Sequence, residues 1–117
     1  HLVKPEDTAQ FKEEEIHPVY ATFALARDAE WTCRQFVLEM KEADEEGIGA
    51  ALEIKHLSPA LVGTEVIFKA RLENVVGNKV ICSFEAFCDE RLIAKGTQEQ
   101  RILKKQRIDD LFKSLKQ

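Results

Sequence analysis

A chain of 117 residues is long enough for one domain with its own core, and short enough that pairing with a second copy would help to bury apolar surface. Hydrophobic residues at 44% and charged residues at 32% are those of a globular fold in water, and 17 basic against 21 acidic side chains leave a net charge of −4. That balance excludes a dedicated nucleic-acid binder, which would carry a basic face, and no apolar run reaches the about 20 residues of a membrane-spanning helix.

The first residues carry no signal-peptide pattern, and the sequence opens on His1 and not on Met, which leaves room for preceding or tag-derived residues. Residues 1–16 are polar and acidic, and DTAQFKEEEI is their one candidate strand, with the weak alternation of an edge. His17 stands before Pro18 in what reads as a solvated loop, and Pro18 breaks the chain ahead of a helix. Val19 to Met40 places apolar groups on nearly every side of a helix of about 3.6-residue period, which predicts a helix buried along most of its length. Gly47, after the charged run KEADEEGIG, is its expected stop.

Beyond Gly47 the period changes to two. Ile48, Ala50, Leu52 and Ile54 share one face, and Gly49, Ala51, Glu53 and Lys55 share the other. A turn-forming SPALVG leads into a strand with Val66, Phe68, Ala70 and Leu72 aligned, and Gly77-Asn78 marks a hairpin. Lys79 to Asp89 follows with Val80, Cys82, Phe84, Ala86 and Cys88 aligned, and a turn at Asp89-Glu90-Arg91 opens LIAKGTQEQRIL. These patterns predict an α+β fold over 1–117: a five-stranded antiparallel sheet curled round one long central helix. The tail, with Ile108, Leu111, Phe112 and Leu115 at helical spacing, reads as a short amphipathic helix over about 106–116, docked on the sheet or on a partner chain. Cys33, Cys82 and Cys88 follow no metal-ligand spacing and lie in apolar segments, the mark of buried reduced thiols in a cytoplasmic protein.

Three polar residues stand where packing alone would put apolar ones: Thr22 and Glu30 in the helix, and His56 at the end of the face of Ile48 to Ile54. A buried carboxylate needs a partner such as an imidazole, a hydroxyl or cleft water. Arg27 and Arg34, three before and four after Glu30, offer the plainer alternative of a surface ion pair, and a lone His56 would ordinarily be a satisfied core residue. Eight positions along a helix rise about 12 Å, so Thr22 and Glu30 cannot touch within one regular helix. One site for both requires Thr22 at the helix start, where it is a candidate N-cap, or completion by a second subunit.

The helix-wrapped sheet resembles the hotdog fold, and the motifs resemble the fluoroacetyl-CoA thioesterase branch of hotdog thioesterases. In that family a Thr, a Glu eight positions on followed by Trp, and a His thirty-four positions after the Thr form the catalytic set. Thr22, Glu30-Trp31 and His56 match those spacings, and Gly49, seven before the histidine, matches the glycine beside the bound acyl group. HLSPALVGTEV and AKGTQEQR resemble further family segments, so the likeness covers about residues 19 to 103. Two departures stand out: only EEEIHPV occupies the place of the family's aromatic-rich lid, so fluoroacetyl selectivity does not carry over, and Gln100 replaces the family's last-strand arginine. The resemblance implies an acyl-CoA thioesterase releasing a small acid and CoA, with catalytic Thr22, Glu30 and His56 and substrate-binding Gly49. It implies no metal, no cofactor other than the CoA of the substrate, no nucleic-acid or membrane partner, and a homodimer that can pair into tetramers. A hotdog enoyl-CoA hydratase and a non-catalytic acyl-CoA-binding protein are the alternatives on the same fold.

Overall fold

The computed structural model describes residues 1–11 and 14–116; the expectation of a solvated His17 concerns a side chain outside those described, as do Lys12 and Glu13 of the candidate first strand. A 3-10 turn at Pro5–Asp7 leads into β1 (Thr8–Phe11) and β2 (Glu14–Tyr20), followed by α1 (Thr22–Met40). Then come β3 (Glu45–His56), β4 (Ile67–Val76), β5 (Lys79–Cys88), β6 (Arg91–Lys104) and α2 (Lys105–Leu115).

One helix packs against an antiparallel sheet, the hotdog arrangement, but the sheet is not a single five-stranded one. Four strands in the order β3-β6-β5-β4 form it, and β1 and β2 form a separate two-stranded ribbon. The ribbon is tied to the segment ahead of β4, where Val19 bridges Leu61 and the Tyr20 N–H donates to the Ala60 carbonyl at 2.7 Å. Pro18 does not break the chain before the helix as expected. It lies within β2, at a strand outside the main sheet, where its missing N–H is tolerated. Two-residue turns close both later hairpins, with Gly77 at φ 60° between β4 and β5 and Asp89 at φ 55° between β5 and β6.

The helix differs from expectation at three points. It buries one stripe, Ala24, Leu25, Ala29, Cys33 and Val37, while Phe23 and Trp31 are 57% and 60% exposed. It starts at Thr22, with Ala21 and not Thr22 at the N-cap. It ends at Met40, because Lys41 turns extended and an acidic turn, Glu42 to Glu45, is gathered round Lys104, whose Nζ is 3.0 Å from Asp44. Gly47 therefore belongs to β3.

On the sheet side, Val80, Cys82, Phe84 and Ala86 of β5 form the core floor, as their alternation predicted. All three cysteines are free and buried, and burial pushes the Cys33 thiol up to about 12. Ile108 anchors α2, whereas Leu111, Phe112 and Leu115 remain exposed. Among the described residues no helix is long and apolar enough to cross a membrane.

Candidate active site

β3 carries the site, and a bulge sets which of its residues face the helix. Its register against β6 runs Gly49↔Gln100 and then Ala51↔Glu99, leaving Ala50 as an extra residue. Expected alternation put Ile48 and Ala50 on the helix side and Gly49 away from it. The bulge reverses the first half of the strand: a Cβ on Gly47 would meet Val37 at 2.5 Å, and one on Gly49 would meet Glu30 Oε1 at 3.0 Å. Both glycines therefore face α1. After the bulge the expected parity holds, with Ile54 packed on the core.

His56, two residues on, meets the helix start. The Thr22 Oγ1 lies 3.0 Å from His56 Nδ1. The first helical hydrogen bond runs from the Leu25 N–H to the Ala21 carbonyl, so the amides of residues 22–24 are spare donors at the positive end of the helix. His56 Nε2 is buried and unpartnered, and burial lowers the imidazole pKa below its ordinary value, against a weaker opposing contribution from the Ser58 backbone. The ring is therefore neutral at pH 7.

Glu30 stands elsewhere. It is exposed, and neither arginine on its helix pairs with it: Arg27 binds Asp7 and Asp28, each within 3.1 Å, and Arg34 binds Glu46 at 2.9 Å and the Gly47 carbonyl at 3.1 Å. The surface ion pair that would have explained Glu30 is absent among the described residues. Glu30 instead lines a cavity of about 290 Å³ with Gly49, Ala50, Ala51, Leu52 and Gln98. Within one chain the structure thus joins Thr22 to His56 and Glu30 to Gly49, and no hydrogen bond or ion pair joins Glu30 to His56.

A larger concavity of about 490 Å³ lies among residues of the opposite sheet face, including Glu53, Lys55 and Lys95, and shares no residue with this site. The one described grouping with metal-ligand spacing is His1, Asp7 and Asp28. Its carboxylates are already engaged by Arg27 and the Tyr20 hydroxyl, and it too shares nothing with the site.

The model of the fluoroacetyl-CoA-specific thioesterase family matches residues 3–106. The chain belongs to that family. A hypothetical protein of Thermus thermophilus, described as a thioesterase superfamily member, is 41% identical over 99% of this chain and 86% of its own, with a TM-score of 0.94. A mutant of the fluoroacetyl-CoA-specific thioesterase, solved with fluoroacetate and CoA, is 22% identical over 97% of this chain and 94% of its own, with a TM-score of 0.87. A hot-dog-like protein from Thermanaerovibrio acidaminovorans is 21% identical over 97% of this chain and 84% of its own, with a TM-score of 0.86. Comparison with curated proteins gives no match. As a member of this thioesterase family the protein is a thioester hydrolase of the acyl-CoA thioesterase kind.

One cavity residue of this thioesterase escaped the sequence reading. Gln98 is 3% exposed on the helix-facing side of β6, beside Gln100 at 2%. The signal was present in AKGTQEQR, where two glutamines two apart fall on the inward positions of a strand.

Proposed function

We propose that the protein hydrolyses a short acyl-CoA at a cleft completed by a second copy of the chain, with Thr22, Glu30 and His56 as its catalytic residues and Gly49 beside the acyl group. The observation that carries this reading is the division of the set into two contacts, Thr22 with His56 and Glu30 with Gly49, at different places along β3. The outer edge of β3 has no partner strand among the described residues over its 12-residue length. Ala50, Ala51 and Leu52 are exposed along it, and Phe23 and Trp31 along the neighbouring helix. A long apolar free edge of this kind invites pairing with another strand. Antiparallel pairing of two β3 strands centred between Leu52 and Glu53 sets Gly49 of one copy opposite His56 of the other. Each Glu30 then faces the Thr22–His56 pair of its neighbour, giving two equal sites per dimer.

Thioester hydrolysis needs an attacking oxygen, a proton carrier and donors for the carbonyl oxygen as it gains charge. Glu30 supplies the attack on the carbonyl carbon, directly or through a water it activates. Where Glu30 orients the water, the neutral His56 takes the water proton at Nε2 and passes it to the departing CoA sulfur. Where Glu30 attacks directly, CoA leaves as the thiolate, and His56 takes the proton of the water that then opens the Glu30–acyl anhydride. In both cases Thr22 holds the ring through Nδ1. Spare amides at the start of α1 bind the carbonyl oxygen. Without a Cβ at residue 49 the acyl group can lie against the backbone beside Glu30. No cofactor is called on beyond the CoA of the substrate, and three buried free thiols suit the cytoplasm.

The test is free-thiol release from acyl-CoAs of increasing chain length, with product analysis on crotonyl-CoA. Hydrolysis of short chains supports the reading; hydration of crotonyl-CoA without thiol release, or binding without turnover of any member, would sink it.

A further inference from the structure

Gln98 and Gln100 occupy inward positions of β6 in a sheet whose neighbouring strand presents Val80, Cys82 and Phe84 to the helix. Amides in such a layer are costly unless their polar atoms find partners, and Gln100 Oε1 is buried without one among the described residues. One partnership is internal: Gln100 Nε2 donates to Gln98 Oε1 at 3.0 Å. Gln98 therefore spends its carbonyl on Gln100, and among the described residues no acceptor takes its own N–H groups. Gln98 lines the cavity that holds Glu30 and Gly49, so these free donors belong to the wall of the acyl site. A purely aliphatic acyl chain packed against that wall would strip water from the amide and give nothing back. An acyl chain bearing an oxygen would replace the lost water.

We propose that Gln98 is a specificity-determining residue, donating a hydrogen bond to a hydroxyl or oxo oxygen carried on a short acyl chain, and that Gln100 is the positioning residue that holds the Gln98 amide for this contact. The proposal rests on the thioesterase reading of the cleft. The cavity, about 290 Å³, has room for a short acyl chain beside Gln98.

Matched thioesters test it: propionyl-CoA against 2-hydroxypropionyl-CoA, and butyryl-CoA against 3-hydroxybutyryl-CoA, each followed by thiol release. The wild-type enzyme should favour a hydroxylated member by about tenfold in kcat/KM, the scale of one well-made hydrogen bond. Gln98→Met removes both polar atoms at similar length, and Gln98→Glu keeps an acceptor for Gln100 while removing the N–H donors. Both should lower kcat/KM for the hydroxylated member far more than for the plain one, bringing the ratio toward one. Gln100→Met should narrow the ratio part of the way, a change that loss of packing alone would not produce. Equal wild-type kcat/KM within both pairs overturns the proposal whether or not any variant folds, and so does an equal loss on both members in the Gln98 variants. Hydrolysis of no thioester at all would overturn this proposal and the thioesterase reading together, whereas hydrolysis without the oxygen preference removes this one alone.

Discussion

Gly49 lies so close to Glu30 that a single added methyl group would stand 3.0 Å from the carboxylate oxygen. The neighbour it would meet is the far end of a flexible, exposed side chain, so the fold can yield but the carboxylate cannot stay in place. Gly49→Ala should therefore lower kcat/KM by about tenfold or more through misplacement of Glu30, with little change in melting temperature. Gly96→Ala is the contrast, because its Cβ would fall 2.0 Å from the Glu53 carbonyl oxygen, which is backbone. It should cost roughly 1–3 kcal/mol of stability or more by overpacking. An unaltered rate in Gly49→Ala would separate Glu30 from the acyl site.

Glu30→Gln keeps the size of the side chain and removes its charge. Hydrolysis should fall by about a hundredfold or more, with the circular dichroism spectrum and assembly state unchanged. His56→Ala should do likewise, and the double variant should be little worse than either, since groups acting as one unit are not additive. Thr22→Ser should be mild and Thr22→Ala clearly worse, because only the first retains a hydroxyl for His56 Nδ1. Wild-type turnover in Glu30→Gln would end the catalytic assignment.

Protonation of His56 links the site to stability. Burial lowers its folded-state pKa, so below the ordinary imidazole value of about 6.5 the unfolded chain binds the proton more readily than the folded one. The contribution of His56 is complete above that pH and is lost as pH falls through the window beneath it. Urea midpoints measured between neutral and mildly acid pH should decline less steeply in His56→Asn than in the wild type. The acidic limb of the pH–rate profile should likewise lie below the ordinary imidazole value; a limb above it would contradict a neutral His56.

The assembly is open to direct test at Leu52, which is 41% exposed on β3. The wild type should sediment as a dimer at micromolar concentration. Leu52→Lys should shift it toward a monomer of 13.4 kDa and lower turnover in step with dissociation. A fully active monomer would dismiss the shared cleft.

The three thiols are packing groups. Replacing Cys33, Cys82 and Cys88 together with Ala should lower the melting temperature, since each lies in a filled core, and should spare turnover of the folded protein. Loss of activity in a well-folded triple variant would place a thiol in the chemistry.

Much of this was legible in the residues. Alternation from Val80 to Cys88 and the turn residues Gly77-Asn78 placed β4 to β6, because local period and turn chemistry agree there. Thr22, Glu30, His56 and Gly49 stood out by type and spacing. What the alternation hid was the extra residue at Ala50, a backbone irregularity within a run of small side chains that carries no strong signal of its own. The single buried stripe of α1 was hidden for a different reason: Phe23 and Trp31 are apolar without being covered by their own chain, and a sequence does not say which molecule covers a side chain. Nor could the end of α1 be read from Gly47, since Lys104, some sixty residues away, gathers the acidic turn that stops it.

The extra residue at Ala50 also acts as a phase shifter between two halves of one strand. On its far side Leu52, Ile54 and His56 keep step with β6 through Gln98, Gly96 and Ala94; on its near side Gly47 and Gly49 keep step through Ile102 and Gln100. Taking Ala50 into a regular ladder, with the bulge ironed out, would leave both halves with their own residues and still turn one against the other by half a pleat. Ile48 would then point at α1 where Gly49 now leaves room, and the Glu30 carboxylate would face a branched side chain. The catalytic geometry is thus vulnerable to a slip of strand register that alters none of the residues proposed to carry it out.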